Sequence, residues 1–354
     1  MKFQADYRHF ADVMRNVRPA RLPIYEHLIN PPFMEPILGV SFADLGSGKG
    51  SDRAEFFRQY CRFYREMTYD VVSFEVCIVE YLPGHGALTQ AKPGPIQSRA
   101  DFDAYPWDDL PKMFWEDAGP KFDALIAALP PGMKAVGGVG NGPFETAEDL
   151  VGLTYLPYMQ ADDPELYADL FNRIGTLMAT LWETFLDRYA DAYVACRIGD
   201  DLGFKTSLLT NPSTVHENIV PQYRRVVKMI HAAGKPFLWH SCGCIFLAMD
   251  AMIDAGINAK HSNEDIIAPF SRWIADYGDR IALVGGFDLG FLCQSTPAEI
   301  TNAVIEKGGE YRATANGYAL GSGNSIPEYV PVENYLAMIE GARILRERET
   351  AKAT

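Results

Sequence analysis

The chain is short of positive charge. Against 46 acidic residues it carries 32 basic ones, a formal net charge of −14 at neutral pH. A field of that sign repels phosphate backbones and anionic membrane surfaces, so neither nucleic acid nor a lipid surface is an expected partner. Long apolar runs are missing too: none reaches the roughly 18 residues of a membrane-spanning helix. The opening stretch, MKFQADYRHFADVMRNVRP, is charged throughout and lacks the apolar centre of a signal peptide. Cysteine is sparse. Cys61, Cys77, Cys196, Cys242, Cys244 and Cys293 are scattered over 354 residues and do not form a disulfide framework. Common signatures are also absent. Gly46-Ser47-Gly48-Lys49-Gly50 lacks the spacing of a phosphate loop and reads as a flexible loop. The Gly137–Gly142 run is no dinucleotide fingerprint, although it allows close backbone approach for seating a ligand. No G-x-S-x-G elbow or kinase set occurs. With hydrophobic residues at 48% and charged residues at 22%, a disordered chain is excluded. The expectation is a reduced, soluble, cytoplasmic protein.

What the chain does have is alternation. Eight short apolar or β-branched segments end in small or polar residues: 22–27, 71–76, 134–141, 192–201, 236–243, 257–263, 281–288 and 317–324. Near-continuous apolar runs suit strands buried on both faces of a parallel sheet. Helical spacing lies between them. Phe56, Tyr60, Phe63 and Met67 mark one helix over 51–69, and Leu166, Leu170, Ile174, Leu177, Leu181 and Phe185 mark another over 165–190. Further helices are expected at 216–233, 245–255, 264–277 and 331–348, and Thr296-Pro297-Ala298-Glu299 is a helix start. Eight β-α units predict an α/β protein of one domain over 1–354: a (β/α)8 TIM barrel with an N-terminal helix. The Pro-rich stretch 88–133 reads as an irregular insertion after strand two, a loop or hairpin near the barrel mouth.

Active sites of such barrels lie at the C-terminal ends of the strands. There this sequence puts Glu26 and His27, Glu75, Asn141, Asp200 and Asp201, His240 and Cys242, His261, Asp288, and Ser322. In His240-Ser241-Cys242-Gly243 the imidazole and the thiol sit two apart on a strand and face one side, as two ligands of one zinc ion would. A buried thiol beside a hydrogen-bonded histidine has the same spacing. Asp200-Asp201 are adjacent carboxylates, so one must meet a cation, a donor or water, and the other can cap the next turn. Glu26 and Glu75 stand in apolar settings as candidates for metal binding, proton transfer or substrate anchoring.

In order along the chain, the His240-Ser241-Cys242-Gly243 step, Ala255-Gly256-Ile257-Asn258, Tyr277-Gly278-Asp279-Arg280-Ile281, Gly285-Gly286-Phe287-Asp288 and Thr296-Pro297-Ala298-Glu299 resemble the uroporphyrinogen decarboxylase superfamily, as does the closing GYALGSGNSIPEYVPVENYLAMIE. The resemblance covers nearly the whole chain and implies a (β/α)8 barrel. True uroporphyrinogen decarboxylases hold a polycarboxylate with an arginine-rich segment after the first strand. Here that place reads Tyr25-Glu26-His27-Leu28-Ile29-Asn30-Pro31, without arginine. The sequence is closer to the corrinoid-dependent methyltransferase branch. That branch implies zinc at His240 and Cys242, and a corrinoid supplied by a partner protein. The methyl donor would be a methoxylated or methylated small molecule, as in O-demethylation. The branch's later cysteine ligand is replaced by Gly321-Ser322-Gly323, leaving Glu26, Glu75 and Asp288 as candidate third ligands.

In this reading Glu26, Glu75, Asp201 and Asp288 are the catalytic candidates. Tyr25, His27, Asn141, Trp239, His261 and Ser322 bind substrate, with Phe74, Phe144 and Phe287 lining the mouth. A homodimer is compatible with the family. Two alternatives stay open: a cofactor-free decarboxylase (a carboxy-lyase) using Asp288 or Asp201 for the proton, and a ligand-binding protein whose catalytic site has decayed.

Overall fold

The computed structural model describes residues 3–46, 51–90 and 92–353. The glycine loop reading at 46–50 therefore falls largely outside the described residues. Seven parallel strands form one sheet in sequential order: β1 Val71–Cys77, β2 Lys134–Gly140, β3 Tyr193–Gly199, β4 Phe237–His240, β5 Ala259–His261, β6 Ala282–Phe287 and β7 Tyr318–Ser322. The arrangement is TIM-barrel-like. The first of the eight expected strands is not a regular one. Residues 22–27 make a parallel bridge, Ile24 to Leu320, on the outer side of β7. Tyr25 N–H donates to the Leu320 carbonyl, and Leu320 N–H donates to the Pro23 carbonyl. Pro23 has no N–H to give, which shortens the ladder there.

Side-chain alternation sorts each strand into two faces. One set packs against the helices and forms the main core: Val72, Phe74, Cys196, Ile198, Phe237, Trp239, Leu283, Phe287 and Leu320. The other set faces inward as a small cluster of Tyr25, Val71, Val136, Val194, Leu238, Ala259, Ala282, Val284 and Ala319. The N-terminal helix Arg8–Met14 joins this inner cluster through Phe10, Val13 and Met14. Phe10 stacks on Tyr25 with ring centroids 5.2 Å apart. Polar residues occupy the inner face above this cluster, from the middle of β1 and β3 (Ser73, Glu75 and Arg197) to the strands' C-terminal ends.

The expected helices at 51–69 and 165–190 are Ser51–Glu66 and Pro164–Tyr189. Thr296 and Glu299 form a reciprocal capping box, as their spacing predicts. The 88–133 stretch differs from expectation. It is largely helical, and Leu110–Ala128 is a 19-residue helix that serves as the crossover between β1 and β2. Leu110, Phe114, Ala118, Phe122 and Leu125 are its buried stripe, and Phe122 packs edge-on to Phe74. Proline obscured this helix in the sequence. One proline lies in its first turn, where the missing N–H costs nothing, and Pro120 is tolerated within it.

The glycine run of β2 also has a packing role. A Cβ on Gly138 (φ +127°) would lie 2.7 Å from the Trp182 ring. No helix among the described residues is long and apolar enough to cross a membrane.

Candidate metal centre at the strand ends

The end of β3 separates the two aspartates. Asp200 turns outward and accepts hydrogen bonds from Glu145 N–H (2.8 Å), Phe144 N–H (3.3 Å) and Tyr223 Oη (3.0 Å). It thus closes the first turn of the helix Pro143–Val151. Burial still pushes its carboxyl up to about 7. Gly142 is required here, because a Cβ would lie 2.3 Å from the Asp200 carboxyl carbon. Asp201 turns the other way. Its Oδ1 accepts from Cys242 N–H at 2.9 Å and lies 3.8 Å from His240 Nε2.

β4 ends at His240, and Cys242 follows on the same side. Cys242 Sγ is 3.4 Å from His240 Nε2. Asp201, His240 and Cys242 thus bring one oxygen, one nitrogen and one sulfur within 4.8 Å of one another. Zinc is bound through such donors at about 2.0–2.3 Å, and three protein ligands leave a position open. Spacings of 3.4 and 3.8 Å between donor atoms fit one ion held among them. The side chain of Asp201 is 42% exposed, so the group opens outward rather than being sealed. Asn324 Nδ2 donates to Cys242 Sγ at 3.2 Å, the kind of contact a thiolate attracts. Without a cation, burial and the neighbouring Asp201 hold that thiol well above its usual range.

Glu26, Glu75 and Asp288, expected as third ligands, are placed elsewhere. Glu26 lies on the outer side of the 22–27 segment, where its carboxyl accepts from Ser322 N–H at 3.0 Å and contacts Ser322 Oγ. Burial pushes it up to about 8. Asp288 is the N-cap of the helix Leu289–Gln294, accepting from Phe291 N–H, and it also accepts from Asp265 N–H. Glu75 faces inward but is paired with Arg197 at 2.8 Å.

Arg197 is fully buried. It also donates to Tyr25 Oη at 2.7 Å, to Ser73 Oγ and to the His27 carbonyl. The charge of Glu75 and the hydrogen bond to Tyr25 hold its guanidinium above its usual value despite burial. Nothing in the pattern of AYVACRIGDD singled this arginine out. An Arg within a run otherwise buried on both faces was the available signal, because a lone buried charge requires a partner.

Three histidines lie at the level of the metal donors. His27 stacks on His240 with centroids 3.6 Å apart and planes 10° apart. His240 Nδ1 is 2.7 Å from His261 Nδ1, and His261 Nε2 is 3.0 Å from the Ser322 carbonyl. Burial depresses all three, His261 to about 3, so the rings are neutral at physiological pH. Their ligand nitrogens are also mutually close. Parallel stacked rings direct their in-plane lone pairs alongside one another rather than toward one point, however, and 2.7 Å between the Nδ1 atoms is a hydrogen-bond distance. The Asp201, His240 and Cys242 group is the better metal site.

Of the residues expected to bind substrate, Tyr25, His27 and His261 face inward with this layer. Trp239 does not. Strand alternation sends it outward against the Tyr223 ring because its neighbour His240 faces in. Phe74, Phe144 and Phe287 likewise belong to the core beneath the helices. Ser322 gives its side chain to Glu26 and its carbonyl to His261. Asn141, at φ +64°, donates from Nδ2 to Glu145 at 2.8 Å and accepts from Val79 N–H.

Two further groups were missed. Glu145 accepts from Asp201 N–H at 3.3 Å, and burial together with Asp201 and Asp200 pushes its carboxyl well up. Lys260, outward on β5, lies 3.8 Å over the Trp273 ring, and burial lowers it to about 7.

The sequence has no match among curated proteins. In structure the chain is similar to a methyltransferase from Methanosarcina mazei, with TM-score 0.70 and 14% identity over 96% of this chain and 99% of that one. A second likeness, to endo-glycoceramidase II from Rhodococcus sp., is remote at TM-score 0.39 and 13% identity over 91% and 79% of the two chains. A family model described as uroporphyrinogen decarboxylase (URO-D) matches residues 89–344, a span that includes all of β2–β7 and the His240-Ser241-Cys242 step. With well over half of its length inside that match, the protein belongs to the uroporphyrinogen decarboxylase family.

Proposed function

We propose that the protein is a methyltransferase that takes a methyl group from a methoxylated or methylated small molecule and passes it to a corrinoid carried by a partner protein. The observation that carries this reading is the convergence of Asp201 Oδ1, His240 Nε2 and Cys242 Sγ at the strand ends. The similarity in fold to a methyltransferase over nearly the full length of both chains supports it.

Asp201, His240 and Cys242 would hold a zinc ion, which would supply Lewis-acid polarisation of the heteroatom that gives up its methyl group. The chain's own residues prepare the place. His27 packs flat on His240 and fixes its ring plane. Glu75, Arg197, Tyr25 and Ser73 close the inner face beneath the histidines with a connected polar layer. Glu145 accepts from Asp201 N–H, and burial together with Asp201 and Asp200 raises its carboxyl, which assigns it as the proton donor to the departing heteroatom. Glu26 is too far into the wall for that task, committed as it is to Ser322.

The partner's landing surface is the rim. Phe204 (58% exposed), Leu247 (65%), Ile266 (73%) and Tyr329 (70%) project from the segments that follow β3, β4, β5 and β7. Large apolar side chains left exposed along one rim are a feature of protein interaction surfaces.

The cofactor-free decarboxylase reading is less well supported. An acid-rich substrate needs free cationic forks, and the inward-facing Arg197 is neutralised by Glu75. The test has two arms. Protein purified without added zinc is analysed for metal, and methyl transfer from a panel of methoxyaromatics and methylamines to cob(I)alamin is followed optically. Bound zinc and transfer, both lost in His240→Ala, are expected. A metal-free protein that converts uroporphyrinogen to coproporphyrinogen overturns the proposal.

A further inference from the structure

We propose that His261 is a positioning residue: it fixes the tautomer of His240, so that the lone pair of Nε2, and not Nδ1, faces Cys242 and Asp201. The inference rests on reading Asp201, His240 and Cys242 as metal ligands, and goes beyond that reading by assigning roles to four residues outside the ligand set: Glu26, His27, His261 and Ser322.

The argument starts in the wall and runs inward. Glu26 accepts from the Ser322 backbone N–H at 3.0 Å and contacts its hydroxyl, which fixes the orientation of this last residue of β7. The Ser322 carbonyl lies 3.0 Å from His261 Nε2. A carbonyl oxygen only accepts, so His261 Nε2 must carry a hydrogen. In a neutral imidazole the other nitrogen is then a bare acceptor. That nitrogen, Nδ1, lies 2.7 Å from His240 Nδ1. Two bare nitrogens at that distance would repel, so His240 Nδ1 carries the hydrogen and donates it. His240 Nε2 is left with its lone pair, 3.4 Å from Cys242 Sγ and 3.8 Å from Asp201 Oδ1. Donor and acceptor roles are therefore settled step by step from one backbone carbonyl, with no free choice along the way.

The position of His261 follows from register. On the paired strands β4 and β5, His240 is the Cα partner of His261, which places the two rings side by side on the inner face. Ring rotation of His240 is opposed separately, by the parallel stack with His27. His27 thus holds the plane and His261 holds the proton. Outer partners of metal-binding histidines act in this way, and their loss typically costs about 10–100-fold in metal affinity.

The test reads the tautomer directly. Metal-free protein labelled with 15N-histidine is examined by long-range 15N–1H correlation, with His240 assigned by the signals missing from His240→Gln. The expected pattern is a proton on Nδ1 of His240 and on Nε2 of His261. A His240 ring protonated at Nε2 overturns the proposal. Zinc affinity is then measured by competition with a chromophoric chelator. His261→Phe keeps a ring but removes the acceptor and is expected to weaken binding by about 10–100-fold. His261→Asn, which offers a carbonyl oxygen near the former Nδ1, is expected to recover most of that loss. Equal affinity in His261→Phe and the unmodified protein overturns the proposal, and so does equal loss in the Phe and Asn variants. If the unmodified protein shows the expected tautomers and yet fails to bind zinc, it is the metal-site reading that falls.

Discussion

Asp200 and Asp201 are adjacent in sequence and serve opposite sides of the sheet. Asp200 accepts three hydrogen bonds from the helix and the tyrosine packed outside, while Asp201 accepts from Cys242 N–H and faces His240. The pair solves the repulsion problem of neighbouring carboxylates by separating them across the backbone. Their substitutions should separate as well. Asp201→Asn is expected to lower zinc affinity by at least an order of magnitude and leave thermal stability nearly unchanged. Asp200→Asn is expected to destabilise the fold by about 1–3 kcal/mol, because one of its buried donors loses its acceptor, and to leave zinc stoichiometry intact. Chelator competition and urea unfolding on both variants check this. Loss of metal in Asp200→Asn with retention in Asp201→Asn would reverse the assignment.

Arg197 and Glu75 make the second prediction. Both side chains are nearly or fully excluded from solvent, 0% and 5% exposed, so each is the other's compensation. Truncating one leaves a charge without its partner, at a cost of about 3–5 kcal/mol. Arg197→Met and Glu75→Leu should each unfold at clearly lower urea concentration. The double variant should recover a large part of the loss, since two apolar groups leave no orphaned charge. If the double variant loses as much as the sum of the single ones, the ion pair is not what holds this layer together.

The alternation of apolar runs with helical stripes identified seven strands and most helices, because burial on both faces leaves a continuous signature. The 22–27 segment was legible as a strand but only bridges Leu320, a difference that depends on pairing geometry and not on local composition. The helix Leu110–Ala128 was hidden by prolines whose positions in the helix make them harmless. At the site, His240 and Cys242 were legible because their spacing alone puts them on one face. The third donor was not. The candidates for it were Glu26, Glu75 and Asp288, whereas Asp201, read only as a catalytic carboxylate, is the one whose backbone turns it toward the pair. Trp239 was misassigned for the opposite reason: its position next to His240 already required it to face outward.

Glu26 makes a prediction about pH. Burial holds its carboxyl at about 8, above the ordinary value of 4.5. The folded state therefore binds this proton more tightly than the unfolded state. The stabilisation is complete below pH 4.5 and is lost as pH rises toward 8. Other buried groups, including the depressed histidines, titrate in the same range, so the informative quantity is the difference from Glu26→Gln. Glutamine mimics the protonated acid and can donate to Ser322 Oγ. The variant and the unmodified protein should be similarly stable at acid pH. Above the ordinary carboxyl range, the gap should open in favour of the variant by about 1.4 kcal/mol per pH unit until Glu26 ionises in the folded protein. Urea unfolding of both proteins across this range measures it, and a gap that stays constant with pH rules out a protonated Glu26.

The rim makes the last prediction, which concerns the partner. Ile266 is 73% exposed beyond the end of β5, and Phe204, Leu247 and Tyr329 follow other strands on the same side of the sheet. Exposed side chains of this kind contribute little to the stability of the free protein, so replacing them should barely change its unfolding. Their effect should instead appear in association. Apolar anchors near the centre of an interface cost about 2 kcal/mol or more when lost, roughly a thirtyfold weakening. Ile266→Asp and Tyr329→Ser are therefore expected to raise KM for a corrinoid protein by at least tenfold. With free cob(I)alamin as acceptor, which needs no docking surface, the rate should change little. Zinc content should be unaffected, since neither residue belongs to the Asp201, His240 and Cys242 group. If both acceptors are impaired equally, these residues shape the substrate opening and the partner must land elsewhere. If neither is impaired, the apolar rim has no part in methyl transfer.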